Sequence, residues 1–267
     1  MTPTDQELIE QLASDDPLLR RDAARELGER RTASAVPALI AALSRPMDVE
    51  RDTDTTDHPE HTSRAAAAVA LGLIGDPSAA SALLDVIDDG FNLGTAASTA
   101  LGRLKPPPID RLVEATRDTG AYRRARAVAA LGEIGDRSAF DAMVVLLDDS
   151  DDVVSRAAAS AFEKMRDPRA VGPLVRLLES ANRSSFVRGY AAMTLGALKD
   201  PVSVEPLLAA LDSDEVLLRR SAARALCRID DERSRDRLAA IAADDPDKTI
   251  RQIVARYLEP RPGQRQH

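Results

Sequence analysis

The chain has 267 residues, of which 44% are hydrophobic, 3% are aromatic and none is Trp. A core of this make-up has to be built from Ala, Leu, Val and Ile, which suits close helix packing and argues against a sandwich or barrel, folds that draw on β-branched and aromatic residues. The formal net charge of −8 argues against a general nucleic-acid coat.

The chain opens on MTPTDQELIEQL, which is acidic and has no apolar signal core. The longest apolar run, AAAAVALGLIG at 65–75, falls short of the roughly 20 residues a membrane helix needs. The single cysteine, Cys227, permits no intrachain disulfide and fits a reducing compartment. The expected setting is therefore soluble and cytoplasmic, without membrane contact. Asp supplies 30 of the 44 acids and Arg 32 of the 36 bases. That bias resembles cytosolic proteins of salt-loving microbes, and a GC-rich genome accounts for it equally well.

One phrase then recurs along the chain. It reads RELGERR at 25–31, VALGLIGD at 69–76, TALGRLK at 99–105, AALGEIGD at 129–136, SAFEKMRD at 160–167, MTLGALKD at 193–200, RALCRIDD at 224–231 and ARYLEP at 255–260. Aligned on Leu27, Leu71, Leu101, Leu131, Phe162, Leu195, Leu226 and Tyr257, the copies define eight repeats of about 31 residues, the second over-long. Each repeat carries two helical patterns. In the seventh, Val204, Leu207, Leu208 and Leu211 line one helix, and Leu218, Ala222, Ala223, Leu226 and Ile229 line the next. Asp-Pro and Asp-Asp steps punctuate them, and no alternating strand pattern occurs. A helix pair of this size cannot bury its apolar stripe alone, whereas stacked pairs can.

Pro in the first helix (Pro37, Pro173, Pro206), Arg near the start of the second and the phrase AAxALGxIGD together resemble the HEAT repeat, in its short bilin-lyase-type (PBS lyase) form. The resemblance runs from about Asp5 to Glu259. It implies an all-α fold, an α-solenoid (superhelix) of about eight two-helix repeats in a single domain over 1–260. An insertion loop at 45–61 and a disordered tail at 261–267 complete that reading.

Counting from each anchor as zero at 100° per residue, position −4 is Ala in seven repeats and position +1 is Gly in five (Gly28, Gly72, Gly102, Gly132, Gly196). Small residues there read as helix contacts. Nothing matches a phosphate loop. Position −7 is Arg20, Arg64, Arg124, Arg188 and Arg219. In the family resembled, this Arg pairs with turn acids and stitches repeats together.

The same resemblance puts the second helices on a concave groove, with positions −6, −2 and +2 facing a partner. The candidates are Arg21, Arg25, Val69, Leu73, Arg103, Arg156, Lys164, Met193, Arg220, Arg224 and Arg228. Arg220, Arg224 and Arg228 form a basic column whose mutual repulsion, roughly 0.2–0.5 kcal/mol per pair, calls for counter-charge. Asp230, Asp231 and Glu232 could provide it, or a partner could. Val69, Leu73 and Met193 are expected as an apolar patch. These features point to an acidic or amphipathic protein or peptide as partner. Nucleic acid is disfavoured by the scarcity of aromatic stacking groups and of positive charge.

An enzyme is the alternative reading. A di-iron hydroxylase on such repeats takes His-Glu pairs from several of them, and this chain has no His-Glu dipeptide. Cys227 replaces the Gly of other repeats and reads as core, and no Ser/His/Asp set can be assembled. The loop offers His58 and His61 beside carboxylates, without a third ligand at a fixed spacing. The expectation is therefore a non-enzymatic scaffold or adaptor, with no catalytic residues, metal or cofactor. The alternatives are a HEAT-like enzyme or enzyme subunit (bilin-lyase-like or metal-dependent oxidoreductase) and a nucleic-acid-binding solenoid.

Overall fold

In a computed structural model, which describes residues 2–45 and 59–259, the eight expected repeats appear as eight helix pairs. They are α1 (Asp5–Gln11) with α2 (Pro17–Arg30), α3 (Val36–Leu43) with α4 (Pro59–Ile74), α5 (Ala80–Asp85) with α6 (Phe91–Leu101), and α7 (Ile109–Ala115) with α8 (Ala121–Ile134). The remaining four are α9 (Phe140–Val144) with α10 (Asp152–Met165), α11 (Val171–Glu179) with α12 (Ser185–Leu198), α13 (Val204–Ala210) with α14 (Val216–Ile229), and α15 (Arg235–Asp244) with α16 (Lys248–Leu258). Among the described residues there is no strand, and no helix is long and apolar enough to cross a membrane.

Two compact units emerge, Met1–Ala139 and Phe140–His267, each with four helix pairs. In the N-terminal unit α2, α4, α6 and α8 pack side by side; in the C-terminal unit α10, α12, α14 and α16 do so. In seven of the eight pairs the first helix lies against its own second helix, and in the fifth the 3₁₀ turn Val145–Asp148 that continues α9 lies against α10, the arrangement of an α-solenoid.

Asp and Ser start the elements. Asp16, Asp151, Ser184 and Asp247 accept a backbone N–H at the start of α2, α10, α12 and α16. Asp76, Asp167, Asp200 and Asp231 do the same for the short 3₁₀ turns that lead into the first helices. Six of the eight second helices end in a left-handed residue four past the anchor. Gly75 and Gly135 fill it in two repeats, while Arg31, Arg166, Lys199 and Asp230 adopt it against their intrinsic preference.

The seven anchors from Leu27 to Leu226 are fully buried, and the seven Ala at −4 are at most 1% exposed. The +1 glycines sit on the next repeat. A Cβ on Gly28, Gly72 or Gly196 would come within 2.8, 2.7 or 2.6 Å of the Cα of Ala70, Ala100 or Ala225. Each of those alanines precedes its own repeat's anchor, so backbone meets backbone and no side chain can yield.

The −7 arginines all hold the turn of their own repeat, and three of them are seen to stitch it to the next. Arg20, Arg124 and Arg219 donate to carbonyls of their own turn, at Ser14, at Asp118 and Thr119, and at Ser213 and Asp214. Arg64 donates to the Leu43 carbonyl and Arg188 to that of Leu178. Three of them also reach an acid one repeat on: Arg64 to Asp89 at 2.9 Å, Arg188 to Glu215 at 3.7 Å and Arg219 to Asp245 at 3.2 Å.

The last repeat is out of step with the Tyr257 anchor. Arg251 donates to the Asp245 carbonyl six residues back, the contact that −7 arginines make elsewhere, and Val254 is fully buried. Both facts place the anchor at Leu258, one residue later. The phrase ARYLEP offers two adjacent apolar residues, Tyr257 and Leu258, and only the packing of α16 sets which of them carries the phase. Of the insertion, residues 46–58 lie outside the described residues; α4 begins at Pro59.

Candidate functional site

The candidates divide between the two units. In the N-terminal unit, Arg21 and Arg25 lie on α2 and both reach Asp22, at 2.9 and 3.9 Å. Val69 is exposed on α4, Leu73 is half-buried beside Gly28, and Arg103 is exposed after α6.

The C-terminal unit holds the rest, on α10, α12 and α14. The basic column of α14 is mostly neutralised from a distance. Arg220 pairs with Asp247 at 3.2 Å, and Arg228 pairs with Glu163 of α10 at 3.0 Å, across the end of α12. The Ile250 backbone N–H, helped by Arg220, holds the Asp247 carboxyl below the usual carboxylate range. The expected counter-charges go elsewhere: Asp230 to Arg235 and Tyr257, Asp231 to Arg233. Arg224, exposed between the two, makes no ion pair with a described residue. Lys164 is exposed on α10.

Of the expected apolar patch, Val69 and Leu73 belong to the N-terminal unit and Met193 to the C-terminal one. The neighbours of Met193 along α12 are Tyr190 and Phe186, at helical spacing on one face. Phe186 is 50% exposed and Met193 39%. Phe186 and Tyr190 meet edge to face, with ring centroids 5.2 Å apart. Arg156 of α10 lies over both, its guanidinium 5.9 Å from the Phe186 ring and 5.5 Å from the Tyr190 ring. On the other side Gly189 lies against Ser221 of α14, one turn from the exposed Leu217.

Phe186, Tyr190 and Leu217 were not among the sequence candidates. Sampling only −6, −2 and +2 skips the first turn of each second helix. The signal for Phe186 and Leu217 was present at −9, where Leu18, Tyr122, Phe186 and Leu217 place exposed large apolar residues in four repeats.

Cys227 is largely buried on α14, and burial pushes its thiol up to about 11. A thiol so protonated at neutral pH is a poor nucleophile. Iodoacetamide labelling of Cys227 in the folded chain should therefore be slow at pH 8 and accelerate only as pH approaches 11. Rapid labelling at pH 8, with a rate matching a free thiol, would contradict this environment.

Among the described residues no group of three or more His, Cys, Asp or Glu is placed to hold a metal ion. His58 and His267 lie outside the described residues, and the surroundings of His61 are likewise outside them. The described side chains do not fit a di-iron set drawn from several repeats.

Comparison with known proteins gives three findings. The sequence model of HEAT repeats matches residues 53–131, 109–186 and 182–259, and that of the PBS lyase HEAT-like repeat matches 19–45. Mouse deoxyhypusine hydroxylase is 26% identical over 247 residues, 82% of this chain and 78% of that one. Among solved structures, the CpcE–CpcF complex of phycocyanin lyase from Nostoc sp. is 26% identical with a TM-score of 0.45, covering 97% of this chain and 96% of that one. YibA of Escherichia coli is 21% identical with a TM-score of 0.54, covering 96% and 92%, a likeness of fold.

The expectation of a non-enzymatic scaffold is corrected by the hydroxylase likeness, since that relative is an enzyme matched along most of both chains. The physical reason lies in what the histidine and cysteine count could test. It asked which side chains this chain could use by itself, and gave no ground against an enzyme whose reacting groups are shared with another chain.

Proposed function

The chain belongs to the HEAT-repeat family, and from that premise we propose that it is an enzyme or enzyme subunit built on the repeats and acting with a protein partner. The observation that carries this is the 26% identity to mouse deoxyhypusine hydroxylase along 82% of the chain. The described side chains offer a raised thiol and no metal cluster, so their share of the work is to hold and orient the partner. Of the two enzyme classes open to the sequence, a lyase-like subunit asks for no ligand set of the di-iron kind and suits these residues better than a metal-dependent oxidoreductase.

The test compares intact protein masses in the native host with and without the chain. One protein should lose a covalent group or hydroxyl when the chain is deleted, and regain it when the purified chain is added to the deletion extract. Identical masses in both strains would overturn the enzymatic reading.

A further inference from the structure

The α10–α12–α14 face carries an apolar strip that no described element covers. Phe186, Tyr190 and Met193 run along α12, and Leu217 adds to them from α14. The strip has positive charge on both sides, Arg156 from α10 and Arg224 from α14. Neither is paired with a described carboxylate, whereas the acids nearby are already engaged: Asp152 by Arg183 and Ser184, Glu163 by Arg228, Glu215 by Arg188, and Asp247 by Arg220. Neighbouring helix axes lie about 8–10 Å apart, so the two arginines bracket α12 from the two adjacent helices.

On this basis, and resting on the reading that the chain acts with a protein partner, we infer that Phe186, Tyr190, Met193 and Leu217, flanked by Arg156 and Arg224, dock an acidic, amphipathic segment of that partner. The segment sets one large apolar side chain against the α12 strip and places a carboxylate on each side. Three things favour this occupant. Aromatic and Arg side chains are the groups that carry binding energy at protein interfaces. A carboxylate forms a forked pair with guanidinium. Nucleic acid, by contrast, finds only two aromatic rings to stack on here.

The test selects a phage-displayed library of random 12-residue peptides on the full chain. Enriched peptides should carry Asp or Glu on both sides of a Leu or aromatic residue. Their binding should weaken at least tenfold in Phe186→Asp. In the Arg156→Glu/Arg224→Glu double variant, selection should turn to Lys- and Arg-flanked peptides. Phe186 is half-exposed and neither arginine pairs with a described carboxylate, so the variants should fold, and circular dichroism checks this. Enrichment without acids, or acidic peptides that bind all variants equally, would overturn the proposal. So would self-association or oligonucleotide binding that Phe186→Asp abolishes. A host whose protein masses do not depend on the chain, beside intact acidic-peptide binding, would sink the enzymatic reading and leave this one standing.

Discussion

Gly196→Val should lower the unfolding free energy by about 3 kcal/mol, at the upper end of what overpacking costs. Even the first added carbon on Gly196 would lie 2.6 Å from Ala225 Cα and 3.2 Å from the Ala225 carbonyl oxygen. These are backbone atoms of α14, held by the helix's own hydrogen bonds, so relief requires α12 and α14 to separate. Separation opens contacts around Leu195 and Leu226, both fully buried. The contrast is Gly172, in the first turn of α11, where the nearest atom to an added Cβ is the mobile tip of Arg176 at 3.9 Å. Gly172→Ala should stabilise by about 0.5 kcal/mol, because Ala loses less backbone freedom than Gly on entering a helix. Urea unfolding followed by circular dichroism measures both. Equal midpoints for Gly196→Val and wild type would refute the idea that backbone contact sets the spacing of the repeats.

The same glycine shows why the fold was legible. Position +1 recurs as Gly and position −4 as Ala because each repeat meets its neighbour through one geometry, and repetition multiplies a weak local signal. The −7 arginines were legible for the same reason. The site was less so. Arg220, Arg224 and Arg228 could be placed on one helix face from spacing alone, but their counter-charges could not. Glu163 is 65 residues from Arg228 and Asp247 is 27 from Arg220, and only the packing of α10, α14 and α16 brings them together. Phe186 and Tyr190 were hidden differently: Phe186, at −9, lies in the first turn of α12, which sampling at −6, −2 and +2 passes over, and Tyr190, at −5, falls between the sampled positions. The last repeat misled because Tyr257 and Leu258 are adjacent apolar residues, and spacing alone does not say which of them carries the helix phase.

Arg219→Met should destabilise the chain by about 3 kcal/mol, the low end for removing one member of a buried ion pair. The Arg219 side chain is 11% exposed and that of Asp245 is 2%. One guanidinium nitrogen holds the Ser213 and Asp214 carbonyls at 2.8 and 3.1 Å, while Nε faces the Asp245 carboxylate at 3.2 Å. Met fills much of the volume but leaves two carbonyls without this donor and a buried carboxylate without its cation. Among the described residues the Asp245 carboxylate keeps one other hydrogen bond, from the Asp247 backbone N–H at 2.8 Å, and Asp247 in turn caps α16 and binds Arg220. Loosening Arg219 should therefore spread along the α14–α16 edge. Lys at 219 carries the charge but cannot fork between carbonyl and carboxylate, so Arg219→Lys should recover only part of the loss. The pairwise share is isolated by the cycle of Arg219→Met, Asp245→Asn and the double variant in urea. A coupling near 2 kcal/mol is expected from contact pairs of this kind. A coupling below about 0.5 kcal/mol, the scatter of independent sites, would mean that the turn carbonyls hold the edge, not the ion pair. In that case Asp245→Asn alone would leave the urea midpoint unchanged.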